Sequence, residues 1–190
     1  MGGEVSAEQA VGATRAWIEK AVIGLGLCPF AAQPYALGRI RYGVSAARSP
    51  QALLQDLSRE LRLLADADAL RVETTLLIHP YVLGDFLDYN AFLDDAEGAV
   101  RGLGLEGVIQ VASFHPRYRF ADTGPDDIEN YTNRSPYPML HLLREESVER
   151  AVAAHPGTAE IYRRNVELLR RLGHEGWQRL FAVPGKTGRD

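Results

Sequence analysis

The sequence predicts an α/β protein, a single domain with a small, mostly parallel four-stranded sheet flanked by helices mainly on one face. Three observations carry that expectation. The runs Val72–Pro80 and Val108–Pro116 are rich in β-favouring residues, and both end in His-Pro. Proline lacks an N–H and pushes the residue before it out of the helical region, so His79 and His115 should each close a strand. One helical segment lies between them, and a strand–helix–strand crossover almost always leaves its strands parallel. Both imidazoles are then expected at the carboxyl edge of the sheet, where open α/β sheets bind ligands.

The elements follow in order. Ser6–Ile23 reads as a helix: Ser6 and Gln9 make a capping box, and Ala10, Ala13, Trp17 and Ala21 an apolar stripe. Gly24 and Gly26 end it, ahead of a stiff apolar corner around Cys28-Pro29. Arg39–Ser45 alternates as a first strand. Ser49 caps a helix that starts at Pro50 and runs through Leu64, with Leu53, Leu57, Leu61 and Leu64 inward. Val72–His79 is the second strand, Asp85–Leu103 a helix with Tyr89, Phe92 and Ala96 inward, and Val108–His115 the third strand. Pro116–Pro138 shows no periodicity, and a loop of roughly 20 residues inside a compact domain is functional or disordered. Its aromatic residues, Tyr118, Phe120, Tyr131 and Tyr137, argue against disorder. Met139–Arg144 is the fourth strand, followed by a helix from Ser147 to near His155 and a last amphipathic helix over Thr158–Leu172. The domain is placed at 1–184, with 185–190 as a flexible tail.

Composition narrows the function classes. A chain of 190 residues can bury a substantial core without staples. A net charge of −4 with scattered cations gives no reason to expect nucleic acid. The single cysteine excludes an internal disulfide and suits a reducing cytoplasm. Glu4 and Glu8 near the start speak against a secretory signal, and no apolar run approaches the ~20 residues that span a bilayer. The expectation is a soluble cytoplasmic protein with a small-molecule substrate and no nucleic-acid or membrane partner. A homodimer is compatible with it.

Alternation along the second strand puts Glu73, Thr75, Leu77 and His79 on one face, which is polar for a central strand. The other face, through Thr74, Leu76 and Ile78, is expected under the helices. A polar pocket roofed by the long loop and the amino-terminal helix fits this pattern. His79, His115 and His141, with Glu73 as ligand or proton carrier, form a candidate set for a transition metal such as iron, copper or zinc. The alternative is that each histidine bonds backbone at a strand end; no His-Glu-x-x-His or paired Cys-x-x-Cys motif is present. Cys28 is either a small buried hydrophobe or a nucleophile activated by His79 or His115. Arg134 and Asn133 either hold a substrate's carboxylate or phosphate or pin the long loop, and Tyr118 is placed to orient a substrate.

Four stretches together resemble a known family, the bacterial domain of unknown function 1415: Gly26–Ala31, Glu73–Pro80 with Asp85-Phe86 and Tyr89, Ala112–Pro116, and Asn133–Glu145. The resemblance covers the length of the chain and departs at Gly26, where the family usually has Asn. It implies no activity. The residues themselves favour a metal-dependent enzyme on a small polar or anionic molecule, with oxidoreductase chemistry using dioxygen as one form. A metal-free hydrolase or transferase using Cys28 with His79 or His115, and a non-catalytic small-molecule-binding or assembly protein, are the alternatives.

Overall fold

The computed structural model describes residues 4–154 and 160–182. The expected helix end near His155, the helix start at Thr158 and the tail 185–190 lie outside them. Helix α1 (Ala7–Trp17) starts at the capping box: Ser6 Oγ accepts from Gln9 N–H, and Gln9 Oε1 accepts from Ser6 N–H. It continues as a π-helix over Ile18–Ile23. A short helix α2 (Ala32–Ala36), not expected from the sequence, leads into strand β1 (Ile40–Val44). Helix α3 (Pro50–Asp66) begins at its Ser49 cap with proline at the first position, as the spacing predicts. Strand β2 (Thr74–Ile78), helix α4 (Phe86–Gly102) and strand β3 (Ile109–Phe114) follow. The long loop carries a 3-10 turn over Ile128–Thr132 before strand β4 (Met139–Arg144). Helices α5 (Glu145–Ala154) and α6 (Ile161–Phe181) complete the described chain. Gly173, at φ 65° and ψ 174°, kinks α6.

The sheet is mixed, with order β1-β2-β4-β3. β1 and β2 are parallel, while β4 is antiparallel to both of its neighbours. This corrects the mostly parallel sheet. The cause is the segment between β3 and β4: it supplies no crossover helix, and without one the chain returns antiparallel. β2 and β3 still run the same way, with β4 inserted between them.

Helices cover both faces, which is a second correction. α3 and α4 pack on one face, where Leu53, Leu57, Leu61, Tyr89, Phe92 and Ala96 meet Leu77, Leu140, Leu142 and Ile109. The polar face read along β2 is in fact this core: Thr75, Leu77 and His79 are all buried. α1 and the π-helix cover the other face, setting Ala10, Trp17, Ile18 and Ala21 against Leu76, Ile78 and Met139. Arg144 fastens α3 to the sheet by donating to Leu64 O (2.5 Å) and Ala67 O (2.6 Å) at the helix's carboxyl end, where a cation also meets the negative end of the dipole.

Tyr89 ties the sheet together at one end. Its hydroxyl donates to Met139 O (2.8 Å) and accepts from Phe114 N–H (3.1 Å), two residues that stand opposite each other in the β3–β4 register. The ring is fully buried, so neither strand group can turn to water if the hydroxyl is lost. Tyr89→Phe should therefore cost about 1–3 kcal/mol in urea unfolding, against less than about 0.5 for the same change at exposed Tyr162.

Candidate functional site

β2 and β3 deliver His79 and His115 to the same end of the sheet and the same face. The rings flank Tyr89: His79 stacks on it at 5.8 Å and 16°, and His115 lies 5.1 Å away on a tilt of 39°. Phe86, from the first turn of α4, contacts His115 at 5.5 Å and Tyr118 at 5.1 Å. Both imidazoles have no exposed surface.

Hydrogen bonding fixes their tautomers. His79 Nδ1 lies 3.1 Å from Val82 O; a carbonyl only accepts, so Nδ1 carries the proton. Nε2 is then an acceptor, and it is buried without a partner. His115 differs. Its Nε2 donates to Leu83 O (3.1 Å) and its Nδ1 accepts from Arg117 N–H (2.9 Å), so both nitrogens are in use. The accepting carbonyls belong to one turn, residues 80–84, in which Leu83 has φ 57°. That left-handed conformation is uncommon for a branched residue and carries strain. Two imidazoles hold the turn in place, and Asp85 then caps α4 by accepting from Leu87 and Asp88 N–H.

Burial also sets the charge state. Desolvation pulls His79 down to about 4, only partly offset by its bond to Val82 O, and it lowers His115 as well. His141 is likewise held down to about 4 by burial of its ring.

The other candidates do not join this pair. His141 pairs with Leu76 and Ala112 in the sheet and so projects from the opposite face, towards Phe114 (6.0 Å). Its Nε2 donates to Thr74 Oγ1 (2.7 Å), whose own proton goes to Leu142 O (2.6 Å). Glu73 stands before the start of β2, 4.0 Å from Arg39, while His79 follows the end of that strand. Six extended residues separate them by ~20 Å. The set His79, His115, His141 and Glu73 is therefore not assembled, and among the described residues no group of three His, Cys, Asp or Glu is placed to share an ion.

Cys28 sits where Leu27 O accepts from Asn165 Nδ2 (2.7 Å) of α6. Burial raises its thiol, the backbone N–H groups of Phe30 and Ala31 lower it in part, and no histidine contributes. Arg134 is committed to the loop: it donates to Tyr118 O (3.2 Å) and Pro125 O (2.5 Å) and lies 4.5 Å over the Tyr131 ring. Asn133 Nδ2 donates to Ser113 O (3.1 Å) and Asn133 O accepts from His115 N–H (3.2 Å), which closes the outer edge of β3. Tyr118 belongs to an aromatic row, between Phe86 and Phe120. For Arg134 and Asn133 this geometry is loop pinning.

Sequence reasoning missed two residues. Asn130 is fully buried and organises the loop, accepting from Phe120 N–H (3.0 Å) and Thr123 Oγ1 (2.6 Å) and donating to Gly124 O (2.8 Å). An Asn amid Asp, Gly and Pro was the available signal, since its side chain mimics backbone in turns. Leu83 gave none.

Fold and site thus define a mixed α/β protein with a closed, neutral histidine pair at one end of its sheet. The model of a protein family of unknown function, DUF1415, matches residues 9–179, and the chain belongs to that family. No curated protein and no solved structure is significantly similar to it. No helix among the described residues is long and apolar enough to cross a membrane.

Two outcomes follow. An unfolded histidine takes a proton below about 6.5. The folded chain refuses it at His79 and His141 until about 4. Stability is therefore complete above pH 6.5 and falls as pH drops towards 4, by roughly 1.4 kcal/mol per pH unit for each such histidine. Urea unfolding from pH 7.5 to 4.5 should show this slope, reduced in His79→Gln and again in His141→Gln. Second, elemental analysis should find that any zinc, iron or copper carried by untagged protein is unchanged by His141→Ala. Loss of metal on replacing each of the three histidines singly would restore a converged site.

Proposed function

We propose that the protein is an enzyme acting on a small polar molecule at the carboxyl ends of β2 and β3, with His79 as its proton acceptor. One observation carries this reading: His79 Nε2 is a buried lone pair of fixed orientation with no partner inside the chain. A backbone carbonyl on Nδ1–H holds the ring for a reactant at Nε2, the arrangement used by histidine bases and ligands. The lone pair selects a ligand bearing O–H, N–H or S–H; an anion would be repelled, and Arg134 is engaged elsewhere.

Access requires the turn at 80–84 to move, because His79 is fully covered. The strained φ of Leu83 lowers the cost of that movement. Opening would also admit water and return His79 from about 4 towards its ordinary 6.5, making it a competent base near neutral pH only when the site is open.

A second reading, a non-catalytic protein in which the histidines brace the turn, is favoured by the bonding of His79 Nδ1 and both His115 nitrogens to backbone. Nitrogen-15 NMR of the histidine side chains separates the two. Titration with a panel of small alcohols, amines and thiols should move the His79 Nε2 resonance for at least one of them. His79→Gln should abolish its binding and His141→Gln should spare it. Binding or turnover that survives His79→Gln would end the proposal.

A further inference from the structure

The two outer edges of the sheet are treated differently. At β3, Asn133 occupies Ser113 O and His115 N–H, and Ile109 N–H donates back to Leu105 O (3.0 Å). At β1, Glu73 N–H donates to Arg39 O (2.9 Å) and Ser45 N–H to Ile78 O (2.8 Å), so the odd-numbered residues face β2. By alternation Ile40, Tyr42 and Val44 turn their N–H and C=O groups outward. Among the described residues no hydrogen bond closes that side. Open edges of this kind invite another strand.

Beside the edge runs a groove of about 540 Å³ lined by Glu8, Val11, Gly12, Arg15, Tyr42 and Val44. It lies between α1 and β1, which pack against each other, with Ile40, Tyr42 and Val44 on the layer that Ala10 and Trp17 build, so α1 runs beside the open edge. α1 runs antiparallel to β1: Glu19 beyond its end meets Tyr35 ahead of the strand, and Glu4 before its start meets Arg48 beyond the strand. Gly12 stands in mid-helix on the exposed side, where glycine costs about 1 kcal/mol relative to alanine. No contact among the described residues requires it, since a Cβ there would meet none of their atoms within 4 Å. Glu8 lies one turn before Gly12 and Arg15 one turn after it, both exposed.

We propose that this face is where a second copy of the chain docks, about a two-fold axis passing by Gly12 and Tyr42. The β1 strands pair antiparallel, with Tyr42 opposite Tyr42 and Ile40 opposite Val44, and the two sheets become one. The α1 helices cross the axis antiparallel, close at Gly12, and each Glu8 meets Arg15 of the other copy. Self-complementarity of this kind is what an isologous two-fold contact demands, and a sequence of Glu, Gly and Arg at one-turn spacing supplies it. The inference is independent of the role of His79.

Sedimentation velocity on the full chain across the micromolar range tests it. A dimer is expected. Gly12→Arg should convert it to monomer while raising or preserving thermal stability, because the helix gains a better former and loses no neighbour. Glu8→Arg and Arg15→Glu should each weaken association roughly tenfold, and the double exchange should restore it. Loss of the Arg15 contact with Tyr42 (4.9 Å) would not be repaired by changing Glu8, so restoration is specific to the interface. A chain that stays monomeric, or a dimer indifferent to Gly12→Arg and to the charge exchange, would overturn the proposal.

Discussion

One phenol holds the end of the sheet where the candidate site lies. Tyr89 reaches from α4 to the last residue pair of β3 and β4, and its hydroxyl satisfies a donor on one strand and an acceptor on the other. Its ring contacts both imidazoles, stacked with His79 and tilted against His115. Helix, strands and both imidazoles are therefore positioned by a single side chain. A residue of this size, fully buried and fully bonded, leaves little freedom to anything it touches.

Local chemistry follows from that enclosure. Around His79 the neighbours are apolar or already bonded, so a charged imidazole would have no counter-ion and no water. Neutrality then makes the ring a donor at one nitrogen and an acceptor at the other. His115, given the same burial, spends both nitrogens on backbone and becomes a strut. Two residues that look equivalent in sequence are chemically distinct because only one of them was given an N–H to accept.

Most of the fold was legible because it rests on local signals. Capping at Ser6, Ser49 and Asp85, the leucine stripe of α3 and proline after each histidine all act within a few residues. What depended on distant partners was not. The position of β4 between β2 and β3 is decided by pairing across the chain, although the lack of a helix in residues 116–138 already argued for an antiparallel return. Alternation correctly grouped Thr75, Leu77 and His79 but could not say that α3 and α4 would cover them. The site suffered for a simpler reason. Glu73 and His79 share a face yet stand at opposite ends of a strand, and His141 occupies the other face, so common polarity was mistaken for proximity.

The kink at Gly173 divides α6 into two working parts. Ahead of it, Leu169 packs with Ile128 of the long loop and Leu27 of the apolar corner. Beyond it, Trp177 still touches Tyr131 of the loop (5.0 Å) but also reaches the layer built by α1 and the π-helix, where Phe181 packs. The glycine thus acts as a swivel between a clasp on the loop and a buttress for the amino-terminal layer. A side chain with a Cβ would resist that swivel's backbone angle, and straightening the rod would force one of the two holds to let go.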